Sequence, residues 1–530
     1  MQKHRWLALA ASFGLVFAAC GGTTTSPTPV PTPVVTPAPA TGTPVPTPVV
    51  TPAPATGTPA PTATTAPTGT PAPTATAALT PAVPKVPTGY TELDKALGSD
   101  KPYAGKTVDI QTQWIGGEGA NFTASLADFE AATGIVVNIE GVGSSHETVL
   151  RTRIEGGAPP DLAMLAQPSA VVAYGKENKL VDVATFMDPT KLTAEHQATI
   201  GNLTDGTHIW GVPYKVDVKS VVWYPIKSFA AAGYAVPKTW DDLMALSDQI
   251  VAAGGHPWCI GMGAGTATGW QATDWLEEIM LKTAPISDYN NWITHKLLFD
   301  SPQVTLAMND AAKIFFTPGY VAGGPTSIIA TPQTDPMDPM FPTDGTDNWT
   351  ATTPGCWMQK QATWYGPDFF PDVKAGGAGT VSKYILGQDI GLFYFPTIDP
   401  AEGTPVEGSG DTLLVPAPPD GSAVRPEVEA VAEFLATPEG TERWIQAGSA
   451  ISANSTTPTD WYAGAYKLQV AADIVAKATS FGFDASDLMP AAVGAGTEWS
   501  ELTDWINGGG TNPDTKTVLD AIDASWPATP

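Results

Sequence analysis

The residues of this chain best equipped for chemistry are carboxylates and indoles, set where predicted strands and helices give way to loops. Trp114 and Glu118 follow one predicted strand, Ser144 a second and Gln167 a third. All four therefore fall beyond the carboxyl ends of strands, where open α/β sheets hold their ligands. Trp270, Asp274 and Glu278 recur at i, i+4 and i+8 and share one face of a predicted helix. A carboxylate is a strong, charged hydrogen-bond acceptor, and an indole offers a flat apolar face with one donor at its rim. The histidines His146, His196, His208, His256 and His295 are scattered, with no His-Glu-x-x-His and no pair at i, i+4, so the sequence supports no zinc site. There is no Gly-x-Ser-x-Gly elbow. The glycine-rich run Gly263 to Gly269 lacks the lysine that follows a phosphate-binding loop. No catalytic residue, metal or cofactor is expected.

These groups need elements to position them. Thr107 to Gln113 reads as a strand and Trp114 to Gly119 as a loop. Phe122, Leu126 and Phe129 lie at i, i+4 and i+7, one apolar helical face that Gly134 ends. Ile135 to Ile139 is the next strand, a helix runs through Val149 and Ile154, and Asp161 to Leu165 is a third strand. This β-α-β-α-β order begins an open, mostly parallel α/β sheet. A second unit opens at Thr239, a helix cap followed by Leu243, Leu246 and Ile250 on one face. Trp258 to Met262 reads as a buried strand, and the loop Gly263 to Gly269 leads into the helix that carries Trp270. Between the units, Gly211 to Tyr224 has the β-branched and aromatic content of extended chain. Val216-Asp217-Val218 is the expected crossing from one lobe to the other.

The N-terminus has a basic start at Lys3 and Arg5 and then an apolar run from Trp6 to Phe17, the form of an export signal over residues 1–19 and too short to span a membrane. Phe17-Ala18-Ala19-Cys20 with Gly21-Gly22 resembles the lipobox of bacterial lipoproteins, which implies lipidation at Cys20 and a lasting anchor outside the cytoplasm. Residues 20–87 are Thr, Pro, Ala, Val and Gly almost throughout, and Val30 to Pro44 recurs residue for residue as Val45 to Pro59. Such a segment cannot build a core and serves as a disordered, extended tether. A formal net charge of -27 excludes a nucleic-acid partner, since neutralising phosphates needs the opposite sign. With Cys20 lipidated, Cys259 and Cys356 remain, and an even pair in an oxidising compartment reads as a disulfide.

From about Lys106 to Pro527 the chain resembles the extracellular solute-binding proteins of ATP-binding-cassette sugar importers, the maltose-binding-like group and its alpha-glucoside binders. The resemblance rests on the order of several pieces: Arg153-Ile154-Glu155-Gly156-Gly157 before Pro159-Pro160-Asp161-Leu162-Ala163, Thr268 to Trp275, Thr317-Pro318-Gly319-Tyr320, Pro354-Gly355-Cys356-Trp357, Phe434 to Gly440 with Trp444, and Asp487 to Gly494. It implies a two-lobed α/β fold with hinge strands and the ligand between the lobes. Lobe one would hold 106–215 and 405–447, and lobe two 216–404 and 448–530. It also implies pairing of Cys259 with Cys356, a carbohydrate ligand, a membrane permease as partner, and a monomer. A sugar presents a C–H face that stacks on an aromatic ring and hydroxyls that need fixed acceptors. Trp114, Trp270 and Trp357 are the expected platforms, and Glu118, Gln167, Asp217, Asp274 and Asp411, with Ser144 and Gly410, the expected polar contacts. Trp275, Trp292 and Trp444 are expected in the core. The alternative is a secreted, lipid-anchored glycoside hydrolase, which would also carry acids and tryptophans in a groove.

Overall fold

The computed structural model describes residues 81–340, 354–365 and 385–528. The export signal, Cys20 and the tether as far as residue 80 lie outside the described residues.

The first lobe begins with β1 (Thr107–Thr112), β2 (Val136–Gly141) and β3 (Leu162–Leu165). β1 lies between the other two and runs parallel to both. The connecting helices are Gly116–Thr133 and His146–Glu155. Phe122, Leu126 and Phe129 are buried on the inner face of the first, as their spacing requires. Gly134 ends that helix at φ 77°, a left-handed turn that costs glycine least. The expected loop Trp114 to Gly119 is corrected, because the helix already starts at Gly116 and Glu118 stands in its first turn. An acid is favoured there by the positive end of the helix dipole.

Among the described residues seven further strands follow: β4 (Val212–Val218), β5 (Val221–Pro225), β6 (Gln359–Lys360), β7 (Ile390–Tyr394), β8 (Val406–Leu414), β9 (Ile451–Ser452) and β10 (Phe481–Phe483). The large sheet has the order β2-β1-β3-β8-β4-β9, with β10 also paired to β8, and β8 is antiparallel to both β3 and β4. β4 and β8 join two cores. Val212 and Tyr214 of β4 and Leu413 of β8 pack with Val108, Phe122 and Trp444. Val218 of β4 and Val406 of β8 pack instead with Val221, Trp223 and Cys259. Each strand thus leaves one lobe and enters the other, and the crossing falls at Val216–Val218, paired with Gly408–Gly410.

In the second lobe β5 is flanked by β6 and β7, both antiparallel to it. Helix Trp240–Ala252 opens on a capping box between Thr239 and Asp242, an arrangement of about 1 kcal/mol at a helix start. Its Leu243, Leu246 and Ile250 enter a large core that also holds Trp275 and Trp292. Cys259 and Cys356 form a disulfide between segments 97 residues apart. The strand expected over Trp258 to Met262 is corrected. Trp258 makes only isolated bridges, to Val321 and Met358, and a Cβ on Gly261 would fall 2.7 Å from Thr331. Close backbone approach takes the place of a ladder there.

Upstream of Lys106 the chain is already part of the first lobe. Tyr90, Leu93 and Ala96 fill its core, and the Leu93 N–H donates to Glu433 at 2.6 Å. Ala82 is buried, with its N–H donating to Asp128. The tether expected to reach residue 87 therefore stops short of Ala82, because an apolar side chain and a backbone donor are both satisfied by docking.

Candidate functional site

A cavity of about 370 Å³ opens where the two cores meet, within the ~300–1,000 Å³ typical of small-molecule sites. The order β2-β1-β3 reverses direction at β1, so β1 and β3 diverge in their connections and leave a crevice past their carboxyl ends. Trp114 follows β1 and Gln167 follows β3 into that crevice. Glu118 and Ser144 join them from the next helix and turn, and Asp217, Gly410 and Asp411 arrive on the hinge strands. From the second lobe come Trp270, Trp364 and Trp499. Eight of the ten expected site residues thus line one cavity.

Charge at the hinge is arranged around two lysines. Lys215 Nζ lies 2.7 Å from Asp217 Oδ2 and 2.7 Å from Asp411 Oδ2. Four residues on, Lys219 Nζ lies 2.7 Å from Asp274 Oδ1 and is also bonded to Asp484. Burial alone would discharge both ammonium groups, but the paired carboxylates outweigh it and hold each lysine above its usual range. Gln113 donates to Asp411, and the Thr363 hydroxyl donates to Asp217 at 3.2 Å. Burial, opposed by Lys215 and reinforced by Asp411 and Asp217, pushes the Glu118 carboxyl up to about 8. Burial and Asp484 likewise push Asp487 well up.

Two expected contacts are corrected. Trp357 is buried in the second core, its ring 4.9 Å from Tyr234 and 5.9 Å from Phe229, and it does not line the cavity. Asp274 sits behind the cavity wall as a partner of Lys219, because helix Trp270–Thr283 is enclosed along its length. Trp114 borders the cavity but its ring is 2% exposed, locked 4.8 Å from Trp444 and 4.9 Å from Phe122. It is a wall and not an open platform. Trp270 is half-buried, 6.0 Å from Trp364 and packed against Trp499. Sequence reasoning missed Trp364 and Trp499. Trp499 had the same signal as Trp270: it opens a helix, Trp499–Asn507, directly after a glycine-bearing turn, Val493–Glu498.

Several polar atoms lining the cavity are buried without a partner: Oε1 of Gln113, Gln167 and Gln333, and Nε1 of Trp499. A buried polar atom left unsatisfied costs about 1–3 kcal/mol. Carboxylates, amide oxygens and indoles together make a surface that accepts hydrogen bonds and stacks.

Two α/β lobes, a pair of strands crossing between them and a ligand-sized cleft at the crossing define a periplasmic-binding-protein-like fold. Residues 114–442 match the family model "Bacterial extracellular solute-binding protein", and the chain belongs to that family. It is 32% identical over 416 residues to the alpha-glucosides-binding periplasmic protein AglE of Rhizobium meliloti (strain 1021), covering 76% of this chain and 84% of that protein. It is 33% identical over 424 residues to the osmoprotective compounds-binding protein GgtB of Synechocystis sp., covering 80% and 93%. A solved chitin oligosaccharide binding protein shares the fold, with TM-score 0.63 at 16% identity over 79% of this chain and 98% of that one.

Proposed function

We propose that this protein is the substrate-binding component of an ATP-binding-cassette importer that captures a carbohydrate, an alpha-glucoside or other oligosaccharide, and delivers it to a permease. The observation that carries this reading is the set of unpartnered acceptors, Gln113, Gln167 and Gln333, beside three indoles in one hinge cleft. A ring that offers several hydroxyl donors and one apolar face would satisfy both, and the alpha-glucosides in the name of AglE accord with it. Trp270 and Trp364 are the platforms of this reading, with Trp499 packed against Trp270. Glu118, Asp217, Asp411 and Gln167 take the hydroxyls. In this reading the described residues of 106–215, with the docked segment before them and 405–447, belong to lobe one and those of 216–404 and 448–528 to lobe two, except that Ala450, past 447, packs in the first core.

In this account Cys20 is lipidated, the Thr- and Pro-rich segment stands the monomer off the membrane, and sugar favours closure by its higher affinity for the closed state. The test is thermal unfolding with maltose, trehalose, sucrose and maltodextrins. A ligand at about 100 times its dissociation constant adds ~2.7 kcal/mol, a readable rise in midpoint. No rise with any sugar would remove the carbohydrate assignment and leave the fold untouched.

A further inference from the structure

We infer that the cleft admits uncharged sugars and shuts out sugars that carry a phosphate or carboxylate. The inference rests on the carbohydrate reading above and narrows it.

An anion in a cleft needs a cation or a row of free donors. Among the described residues lining the cavity the cationic ones are Lys215 and Lys219, and neither is available. Each already holds two carboxylates and is about as buried as its core neighbours, at 3% and 4% exposure. Their remaining sides are covered by indoles. Lys215 Nζ is 5.8 Å from the Trp114 ring and 5.7 Å from that of Trp444, and Lys219 Nζ is 5.6 Å from that of Trp270. Two helix starts that border the cleft, and could have attracted an anion, carry Glu118 and Glu147 in their first turns. The unpartnered amide oxygens are acceptors as well. An uncharged sugar brings hydroxyl donors to this surface. A phosphate dianion or carboxylate brings more acceptors and more negative charge.

The two hinge triads enforce the limit, because each sets one ammonium group against two carboxylates. Glu118 lines the cavity under the influence of Lys215, Asp411 and Asp217, and burial holds its proton at neutral pH. Glu147 and Asp487 also line the cavity with no ion-pair partner among the described residues, Asp487 beside Asp484.

The experiment is isothermal titration of the full-length protein with trehalose and trehalose 6-phosphate, and with maltose and maltose 6′-phosphate, at low and high salt. The phosphate ester is expected to bind at least about tenfold more weakly than its uncharged parent. High salt should narrow that gap in the native protein about threefold or more. Equal or tighter binding of the ester overturns the inference. So does a gap that salt does not change, because that gap reports size. Binding of neither parent nor ester defeats the carbohydrate reading itself, a different outcome from loss of discrimination between them.

Discussion

Asp217 and Asp411, on neighbouring hinge strands, share a single ammonium group: Lys215 Nζ lies 2.7 Å from each. The triad sits where β4 and β8 pass between the cores, with all three side chains under 10% exposed. Removing the cation leaves two buried carboxylates to repel one another. Lys215→Met is expected to cost about 3–5 kcal/mol in stability, read as a shift of the urea midpoint, and to weaken sugar binding with it. An unchanged midpoint would mean that the hinge does not depend on this charge.

The tryptophans separate by what their rings touch. Trp357→Ala should destabilise the second lobe by about 3–5 kcal/mol while the folded protein keeps its sugar affinity. Trp270→Ala should do the reverse, with a loss of about tenfold or more in affinity and a smaller loss of stability. Paired calorimetric titration and thermal unfolding of both variants distinguish core from platform.

The Cys259–Cys356 bond closes a loop of 97 residues. A loop of about that length gives roughly 4–5 kcal/mol in the chain-entropy account. The double Cys→Ser variant is expected to lose a stabilisation of that order, and reductant should lower the melting temperature of the native protein but leave that variant unmoved.

Glu433 carries a pH dependence with a definite sign. Burial, with Glu92 and Glu429 close by, pushes its carboxyl up to about 8 from an ordinary 4.5. Below 4.5 folded and unfolded chains both hold the proton, so its contribution is intact. Between 4.5 and about 8 the unfolded chain releases the proton first, and stability falls as pH rises until the folded chain releases it too. Glu118 and Glu277, each pushed up to about 8 by burial, act in the same direction. The urea midpoint should therefore fall across this range, and Glu433→Gln should flatten part of the fall.

Much of the fold was legible because periodicity survives burial. The alternation from Thr107 to Leu165 predicted β1 to β3, and the run from Gly211 to Tyr224 predicted β4, β5 and the crossing near Asp217. Trp258 to Met262 misled because a buried apolar run has the composition of a strand whether or not its backbone finds a ladder. The site was legible wherever chain direction decided it, as at Gln167 after β3. It was not legible where residue type alone had to serve. Trp114, Trp270 and Trp357 look alike in sequence, yet only the neighbours brought by folding, Trp444 for the first and Tyr234 for the last, decide which ring is free. Lys215 and Lys219 escaped notice for a related reason. Their importance lies in carboxylates on strands and helices distant in the chain, Asp411 and Asp484 among them.

The most direct test of the account is calorimetric titration of the protein with maltose, trehalose and sucrose, followed by product analysis of each mixture. The account predicts saturable binding of at least one of these sugars at one site per chain, with the sugar recovered intact. Release of glucose would make the cleft that of a hydrolase, and no heat with any sugar would show that it was built for another solute.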